Sequence, residues 1–248
     1  FFEFVDLDDD GYPDVVAGNQ IIRNEEGDEG ERDLVVDESP KGFLDTGGQP
    51  ESIISGDFNG DDKVDIVSLV TLTNGIVVFQ NDGDGGLKKR EDLPDLPSEL
   101  KSNAQISDID VANIDGKGAD DILQLYDTNQ VAIYLKLDTD KPEVKIVDLE
   151  TDDDNVAYDF VSAGSIQQND TVDFAVAAKQ QMAMNGSTLP AEISVYKNEG
   201  EAKSFSRYFH TKTRSDVQTL LFEDTSFDGY ADIMVGPIFW RHSYEDGG

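Results

Sequence analysis

A short turn rich in aspartate, followed at once by β-forming residues, occurs five times in this chain of 248 residues. Loop 1 reads D-L-D-D-D-G-Y-P-D from Asp6 to Asp14 and leads into Val15 and Val16. Loop 2 reads D-F-N-G-D-D-K-V-D from Asp57 to Asp65, and loop 5 reads D-T-S-F-D-G-Y-A-D from Asp224 to Asp232. Because aliphatic and β-branched residues follow each copy, each is expected to be a loop that opens a strand.

Side chains that carry oxygen stand at positions 1, 3, 5 and 9 of these three loops. Ca²⁺ takes such oxygens together with a backbone carbonyl, here at position 7, and we predict about three structural Ca²⁺ sites. Without a cation, two carboxylates about 5 Å apart repel each other by roughly 3 kcal/mol at an effective dielectric near 20. The predicted ligands are Asp6, Asp8, Asp10, Tyr12 and Asp14 in loop 1, Asp57, Asn59, Asp61, Lys63 and Asp65 in loop 2, and Asp224, Ser226, Asp228, Tyr230 and Asp232 in loop 5.

Two further copies have lost part of this donor set. Loop 3 reads N-I-D-G-K-G-A-D-D from Asn113 to Asp121 and has Lys117 at position 5, where its ammonium is expected to replace the ion. Loop 4 reads S-I-Q-Q-N-D-T-V-D from Ser165 to Asp173 and has only neutral oxygens at its ligand positions before the last Asp. We therefore expect weaker cation binding in both loops, with Asn113, Asp115 and Asp121 as secondary candidates.

Turns rich in aspartate also occur without a metal ion and in the helical EF-hand. Asp and Asn form ion-free turns by accepting hydrogen bonds from the nearby backbone. Such a turn could account for one loop, but five similar loops favour a metal. An EF-hand shares the opening D-x-D-x-D-G, yet it ends in a bidentate Glu at position 12 between two helices. Here the twelfth residues are Ala17, Ser68 and Val235, and strand-forming residues surround them, which excludes the EF-hand.

The last Asp of each loop falls at 14, 65, 121, 173 and 232, in steps of 51, 56, 52 and 59 residues. Periods of this size with several strands per unit are typical of propeller blades. We predict an all-β chain, a β-propeller of four-stranded antiparallel blades that runs over 1–248 as one array. The units lie near 1–50, 51–105, 106–160, 161–215 and 216–248. The fifth lacks room for its outer half, so the array is expected to be incomplete at both ends.

Strands are predicted on both sides of most loops, and nothing predicts a long amphipathic helix. An outer strand is expected to close each unit, whereas Glu91–Ser98, which contains two prolines, is predicted to be a surface loop. The inner strands are predicted at Ser52–Ser55, Asp65–Leu72, Ile76–Gln80, Ile122–Tyr126, Val131–Leu135 and Ile193–Tyr196. The outer ones are predicted at Leu34–Val36, Val144–Leu149 and Phe205–Phe209.

Acidity limits the partners of the chain. Asp and Glu number 53 against 19 Lys and Arg, for a formal net charge of −34, so nucleic acid and anionic membrane surfaces are repelled. No run approaches the roughly 20 apolar residues that span a bilayer, so membrane insertion of this segment is not expected. The absence of cysteine leaves the compartment open.

The pattern D-x-[DN]-x-D-G-x-x-D before an aliphatic strand resembles the FG-GAP, or VCBS, repeat of integrin α-subunit heads, several lectins and proteins like T-cell immunomodulatory protein. Val16-Ala17-Gly18 and Val235-Gly236-Pro237 resemble degenerate Gly-Ala-Pro elements, and the Phe-Gly element is not visible. The resemblance implies a seven-bladed ring, of which about five blades lie here, with Ca²⁺ held between the first two strands of a blade.

The resemblance and the loops together predict a calcium-stabilised, extracellular or cell-surface recognition or adhesion module that binds a protein or a glycan without catalysis. The alternatives are a structural subunit of a surface filament or larger complex and, with less support, a carbohydrate-active enzyme on the same scaffold. The two histidines, His210 and His242, lie in no zinc-ligand or catalytic-triad sequence context. Tyr126, Trp240 and Tyr244 are candidates either for stacking on sugars or for blade packing.

Overall fold

The computed structural model describes residues 2–38, 44–70, 75–83, 85–153, 156–166, 171–182, 186, 188–213, 216–225, 231–236 and 238–240. The regular secondary structure of the described residues consists of β-strands, with one short 3₁₀ turn at Asp28–Gly30. Among the described residues, no helix is long and apolar enough to cross a membrane.

The residues divide into two compact units. Unit 1 is made of Phe1–Asp95, Gly118–Asp120 and Lys136–Glu143. Unit 2 is made of Leu96–Lys117, Asp121–Leu135 and Val144–Gly248. Each unit is built from antiparallel sheets whose strands follow one another in chain order.

Unit 1 holds sheets 1 and 2, each with four strands in chain order. Sheet 1 consists of β1 (Phe2–Val5), β2 (Asp14–Ala17), β3 (Gln20–Glu26) and β4 (Arg32–Val36). Sheet 2 consists of β5 (Ser52–Gly56), β6 (Asp65–Val70), β7 (Gly75–Asn81) and β8 (Leu87–Lys89). One apolar core joins the two sheets, with Val16 and Ile21 from sheet 1 against Ile53, Ile66 and Phe79 from sheet 2.

Unit 2 holds sheets 3, 4 and 5, apart from the first residue of one outer strand. Sheet 3 consists of β9 (Ile106–Ala112), β10 (Asp121–Tyr126), β11 (Gln130–Leu135) and β12 (Glu143–Asp148). Sheet 4 consists of β13 (Phe160–Gly164), β14 (Asp173–Ala178), β17 (Ala191–Asn198) and β18 (Phe205–Thr213). A small hairpin of β15 (Gln181–Met182) and β16 (Thr188–Leu189) lies between β14 and β17 in the chain. Sheet 5 consists of β19 (Thr219–Glu223), β20 (Asp232–Gly236) and β21 (Ile238–Trp240).

The first strands of consecutive sheets contact each other within each unit. In unit 1, Ser55 of β5 donates a hydrogen bond of 2.9 Å to the carboxylate of Glu3 on β1. In unit 2, the Phe222 amide of β19 donates to the Ser162 hydroxyl of β13 at 3.2 Å. Successive sheets therefore pack face to face along their first strands, as blades of a β-propeller do, and the predicted all-β propeller fold of four-stranded antiparallel blades is confirmed.

The predicted strands are found with small shifts of their ends, and three details differ. The outer strand of sheet 2 is β8, which the sequence does not predict because its three residues, L-K-K, carry no apolar alternation. The hairpin β15–β16 lies in a segment for which the sequence predicts no strand. Sheet 5 has a third described strand, β21, where only an inner half is expected.

Candidate metal centre

The five aspartate-rich loops occupy one structural position. Each connects the first and second strands of its sheet, and in each the last Asp is the first residue of the second strand. Loops 1 and 2 lie in unit 1, which also holds residues 118–120 of loop 3. The residues 167–170 of loop 4 and 226–230 of loop 5 lie outside the described residues, so the predicted ligands Ser226, Asp228 and Tyr230 are not placed.

Loops 1, 2 and 3 follow the same backbone path. Position 4 is left-handed in all three, with φ of 58° at Asp9, 73° at Gly60 and 71° at Gly116. Position 6 is left-handed as well, with φ of 85°, 63° and 58° at Gly11, Asp62 and Gly118 respectively. Gly, Asp and Asn are the residue types that tolerate this region, and in loops 1, 2 and 3 only Gly and Asp occur at these two positions. In these three loops the restriction is a second sequence signal beside the oxygen donors, whereas loops 4 and 5 have Gln168 and Phe227 at position 4.

Loop 1 brings three carboxylates together. Oxygens of Asp6, Asp8 and Asp10 all lie within 4.8 Å of one another. Asp6 accepts the amide N–H of Asp10 at 3.2 Å and of Gly11 at 2.8 Å, which curls the loop around that carboxylate. Desolvation, followed by the negative charges of Asp10 and Asp14, raises the pKa of Asp8. The loop therefore concentrates negative charge at a cost that a bound cation would relieve.

Two carboxylates of loop 1 already have positive partners, since Arg23 places Nη1 2.9 Å from Oδ2 of Asp14 and Arg32 pairs with Asp10. Arg32 of β4 places Nη2 2.6 Å from Oδ2 of Asp10, and its guanidinium lies 4.0 Å from the centre of the Tyr12 ring. The hydrogen bond from Arg32 is the main cause that lowers the pKa of Asp10. A divalent ion in loop 1 would have to share Asp10 with this guanidinium.

Replacing Arg32 with Gln is therefore expected to raise the calcium affinity of loop 1 about threefold, since a repelling cation near the ion is removed. Isothermal titration calorimetry measures the change. The control is Arg207→Gln, which removes an arginine paired with Glu150 and Asp152 in unit 2. An unchanged or weakened affinity in Arg32→Gln would contradict this role of the arginine.

Loop 2 has the same organisation with an Asn at position 3. Asp57 accepts four backbone N–H groups, from Asn59, Gly60, Asp61 and Asp62, at 2.7–3.3 Å. The Asn59 side-chain amide donates to Asp61 Oδ2 at 3.1 Å, so the side chains at positions 3 and 5 face each other. The Lys63 ammonium points to the carbonyl of Asp82 at 2.7 Å, outside the loop.

The last Asp of each loop is buried and holds the loop to its sheet. Asp14, Asp65, Asp121, Asp173 and Asp232 are each at most 1% exposed. Asp65 accepts the amide N–H of Phe58, at loop position 2, at 3.0 Å and that of Asn81, at the end of β7, at 2.8 Å. Asp173 makes the corresponding bonds with Ile166 and Asn198. Burial raises the pKa of Asp65 to about 6 and also raises that of Asp173.

These contacts give the last Asp a structural role whether or not an ion is bound. Two backbone donors already use one lone pair on each oxygen of Asp65, and a carboxylate oxygen has a second one available. The assignment of Asp14, Asp65, Asp121 and Asp232 as ligands stays a prediction.

Loop 3 does not place its lysine as predicted. The Lys117 ammonium lies 2.9 Å from Glu201 Oε2, a residue outside the loop, and both side chains are more than half exposed. Hydrogen bonds from the Lys117 amide to the side chains of Asn113 and Asp115, at 2.8 and 2.9 Å, hold the loop turn instead. The idea that this ammonium replaces the ion is therefore wrong, because a nearby carboxylate outside the loop attracts it.

The donor chemistry of loops 1 and 2 fits calcium. The side chains at positions 1, 3 and 5 supply only carboxylate and amide oxygens, the hard donors that Ca²⁺ prefers. The carbonyls of Tyr12 and Lys63 stand at position 7 to complete such a set. Bound there, the ion would neutralise the carboxylates and fix the loop between the first two strands.

Two partly buried acids on β9, Asp108 and Asp110, are not among the residues predicted from the sequence. Asp108 and Asp110 accept the backbone N–H groups of Val161 and Ala163 on β13, at 3.0 and 2.7 Å. Desolvation raises the pKa of Asp108 to about 7 and raises that of Asp110. The signal is present in S-D-I-D-V, where acids alternate with apolar residues, so that both acids lie on one face of the strand.

A Ser-His-Asp contact also exists in unit 2, although the sequence context of His210 does not indicate one. Nδ1 of His210 lies 3.0 Å from Ser194 Oγ, and Nε2 lies 3.1 Å from Asp152 Oδ2, an ion-pair distance without hydrogen-bond geometry. Ser194 is fully buried, and its hydroxyl also meets that of Tyr158 at 2.8 Å. A nucleophile must reach a substrate, so this arrangement is a packing network that joins β17 to β18.

The candidate sugar-stacking aromatics are only partly placed. Tyr126 is fully buried, and its hydroxyl donates a hydrogen bond of 3.0 Å to Gln124. The prediction that Tyr126 packs within a blade is therefore confirmed, and the alternative that it stacks on a sugar is wrong. The Trp240 side chain, Tyr244 and His242 lie outside the described residues. Among the side chains that the structure describes, the exposed aromatic residues are Phe2, Phe4, Tyr12, Tyr208 and Phe209.

Comparison with known proteins identifies the fold only. No protein-family model matches the sequence, and no curated protein matches it. Among solved structures, the chain resembles a lectin from Agrocybe aegerita that specifically recognises non-reducing terminal N-acetylglucosamine, with a TM-score of 0.64 and 16% identity over 95% of this chain and 60% of the lectin. It also resembles BBS1N from a complex with ARL6DN, with a TM-score of 0.55 and 11% identity over 95% of this chain and 61% of BBS1N. The chain thus spans about three fifths of each of these relatives and shares their β-propeller fold.

Proposed function

We propose that this chain is a calcium-stabilised β-propeller segment of the FG-GAP type, which acts outside the cell or at its surface as a non-catalytic recognition module. The observation that carries the proposal is the shared backbone path of loops 1 and 2, with left-handed residues at positions 4 and 6. In loop 1 that path brings three carboxylates within 4.8 Å of one another.

Calcium has a structural task in this proposal. The loops join the first two strands of each sheet, and first strands form the contacts between sheets within each unit. An ion that neutralises loop 1 or loop 2 would stabilise the sheet where it meets its neighbour. Extracellular modules bind calcium at about 10⁻⁴–10⁻³ M, and sites of that affinity would be occupied outside the cell, where we place this chain.

The partner is proposed to be a protein or a glycan. Stacked sheets offer a broad rigid surface, and the structural relatives include a lectin and a protein in complex with another protein. These likenesses support a recognition role without choosing the ligand, because function resides in sites carried by a fold. A structural subunit of a filament or larger complex remains the alternative.

A glycan array and a protein pull-down, each in calcium and in chelator, test the proposal. Retention of a defined glycan or protein that is lost in chelator supports it. Assembly of the purified chain into large oligomers without any partner would favour the structural alternative, and turnover of an arrayed glycan would favour an enzyme.

A further inference from the structure

Two buried asparagines in this fold each join a pair of successive loops. The side-chain amide of Asn81, at the end of β7, donates to the carbonyl of Leu7 in loop 1 at 2.7 Å and to that of Val64 in loop 2 at 3.1 Å. Asn81 is 4% exposed, so these bonds are shielded from water. One side chain thus connects position 2 of loop 1 with position 8 of loop 2.

The same arrangement recurs in unit 2. The side-chain amide of Asn198, at the end of β17, donates to the carbonyl of Ile114 in loop 3 at 2.8 Å and to that of Val172 in loop 4 at 3.2 Å. Asn198 is 1% exposed. The distances and loop positions match those around Asn81, so the arrangement is a repeated feature of the fold.

The remaining polar atoms of Asn81 anchor it to its own sheet and turn. The Asn81 amide N–H donates to Asp65 at 2.8 Å, and its side-chain oxygen accepts the Gly83 N–H at 2.9 Å. Every polar atom of the Asn81 side chain is therefore used, and the carboxamide cannot rotate without breaking a buried hydrogen bond.

We infer that Asn81 couples loop 1 to loop 2, so that ordering either loop around an ion favours the ordered form of the other. The inference has two parts. The effect on calcium binding rests on the proposed calcium sites, whereas the hydrogen-bonded connection between the loops does not. Coupling between two sites is reciprocal, and a typical coupling changes affinity about fivefold or more. Asn198 supplies a matched control, because it joins loops 3 and 4, whose predicted calcium affinity is weaker.

The hydrogen-bonded connection between the loops is tested in chelator, by NMR hydrogen exchange of the loop 1 amides of Asp10 and Gly11. Asn81→Ala is expected to speed their exchange about fivefold, since loop 1 loses its bond to sheet 2, and Asn198→Ala is expected to leave them unchanged. Equal exchange in the two variants would overturn the connection. Asn81→Ser, which leaves a smaller void yet is too short to reach Leu7, replaces Asn81→Ala if that variant does not fold.

The effect on calcium binding is measured by following the Gly11 amide resonance during a calcium titration. Asp61→Ala, which disables loop 2, is expected to weaken calcium binding at loop 1 about fivefold in the parent chain and not at all in the Asn81→Ala background. The same weakening in both backgrounds, or none in the parent, would overturn the coupling. If loop 1 binds no calcium in the parent, the proposed function fails, and the exchange measurement alone decides the role of Asn81.

Discussion

The substitution Asp108→Asn is expected to raise the free energy of unfolding by about 3 kcal/mol at pH 8 and to change it little at pH 3. Burial raises the pKa of Asp108 to about 7 in the folded chain, against an ordinary value of 3.8. An Asn keeps an oxygen that accepts the Val161 N–H and carries no charge at any pH.

Proton binding explains why Asp108→Asn is expected to be more stable than the parent at high pH. Below about pH 4 the carboxyl is protonated in both the folded and the unfolded chain, so it costs nothing. As the pH rises from about 4 to 7, the unfolded chain ionises first, and the folded chain loses stability until its own pKa is passed. The neutral variant avoids this loss.

Urea denaturation at pH 3, 5 and 8 measures the difference for Asp108→Asn. The control is Asp95→Asn, which makes the same substitution at an exposed position. A variant that is less stable than the parent at pH 8, or a difference that is constant over the pH range, would show that the ionised Asp108 carboxylate does not destabilise the folded chain.

The second large effect is expected at loop 2. In calcium at 100 times the dissociation constant, one occupied site adds about 2.7 kcal/mol to the free energy of unfolding. Asp61→Ala removes the ligand at position 5 and is expected to lose most of that gain in calcium, with a much smaller loss in chelator.

Asp62→Gly is the matched control for Asp61→Ala. It removes an equal charge from the adjacent residue, and Gly suits the left-handed φ of 63° there, as it does at Gly11 and Gly118. Thermal unfolding in calcium should therefore separate the two variants. Equal melting temperatures for both variants in calcium would mean that position 5 is not a ligand.

The fold was predictable from the sequence because the loops recur at a blade-like period and apolar strands flank them. Strands such as β10 and β11 are fully buried along their length, so their residues are apolar enough to identify. The outer strand β8 was not predictable, because an exposed edge of three residues needs no apolar pattern.

The site was predictable only in part. Spacing placed Asp6, Asp8 and Asp10 on one loop, and the structure brings their oxygens together. Spacing did not reveal that Arg32, from the outer strand, would reach Asp10, or that Glu201 would attract Lys117. Both contacts join residues far apart in the chain, where local patterns carry no information.

Calorimetric titration of the parent chain with calcium, followed by thermal unfolding of the same samples, tests the central claim most directly. Saturable binding of about three ions per chain, together with a higher melting temperature in calcium than in chelator, is the result expected of structural sites. An absence of binding heat combined with identical melting temperatures in calcium and chelator would contradict it.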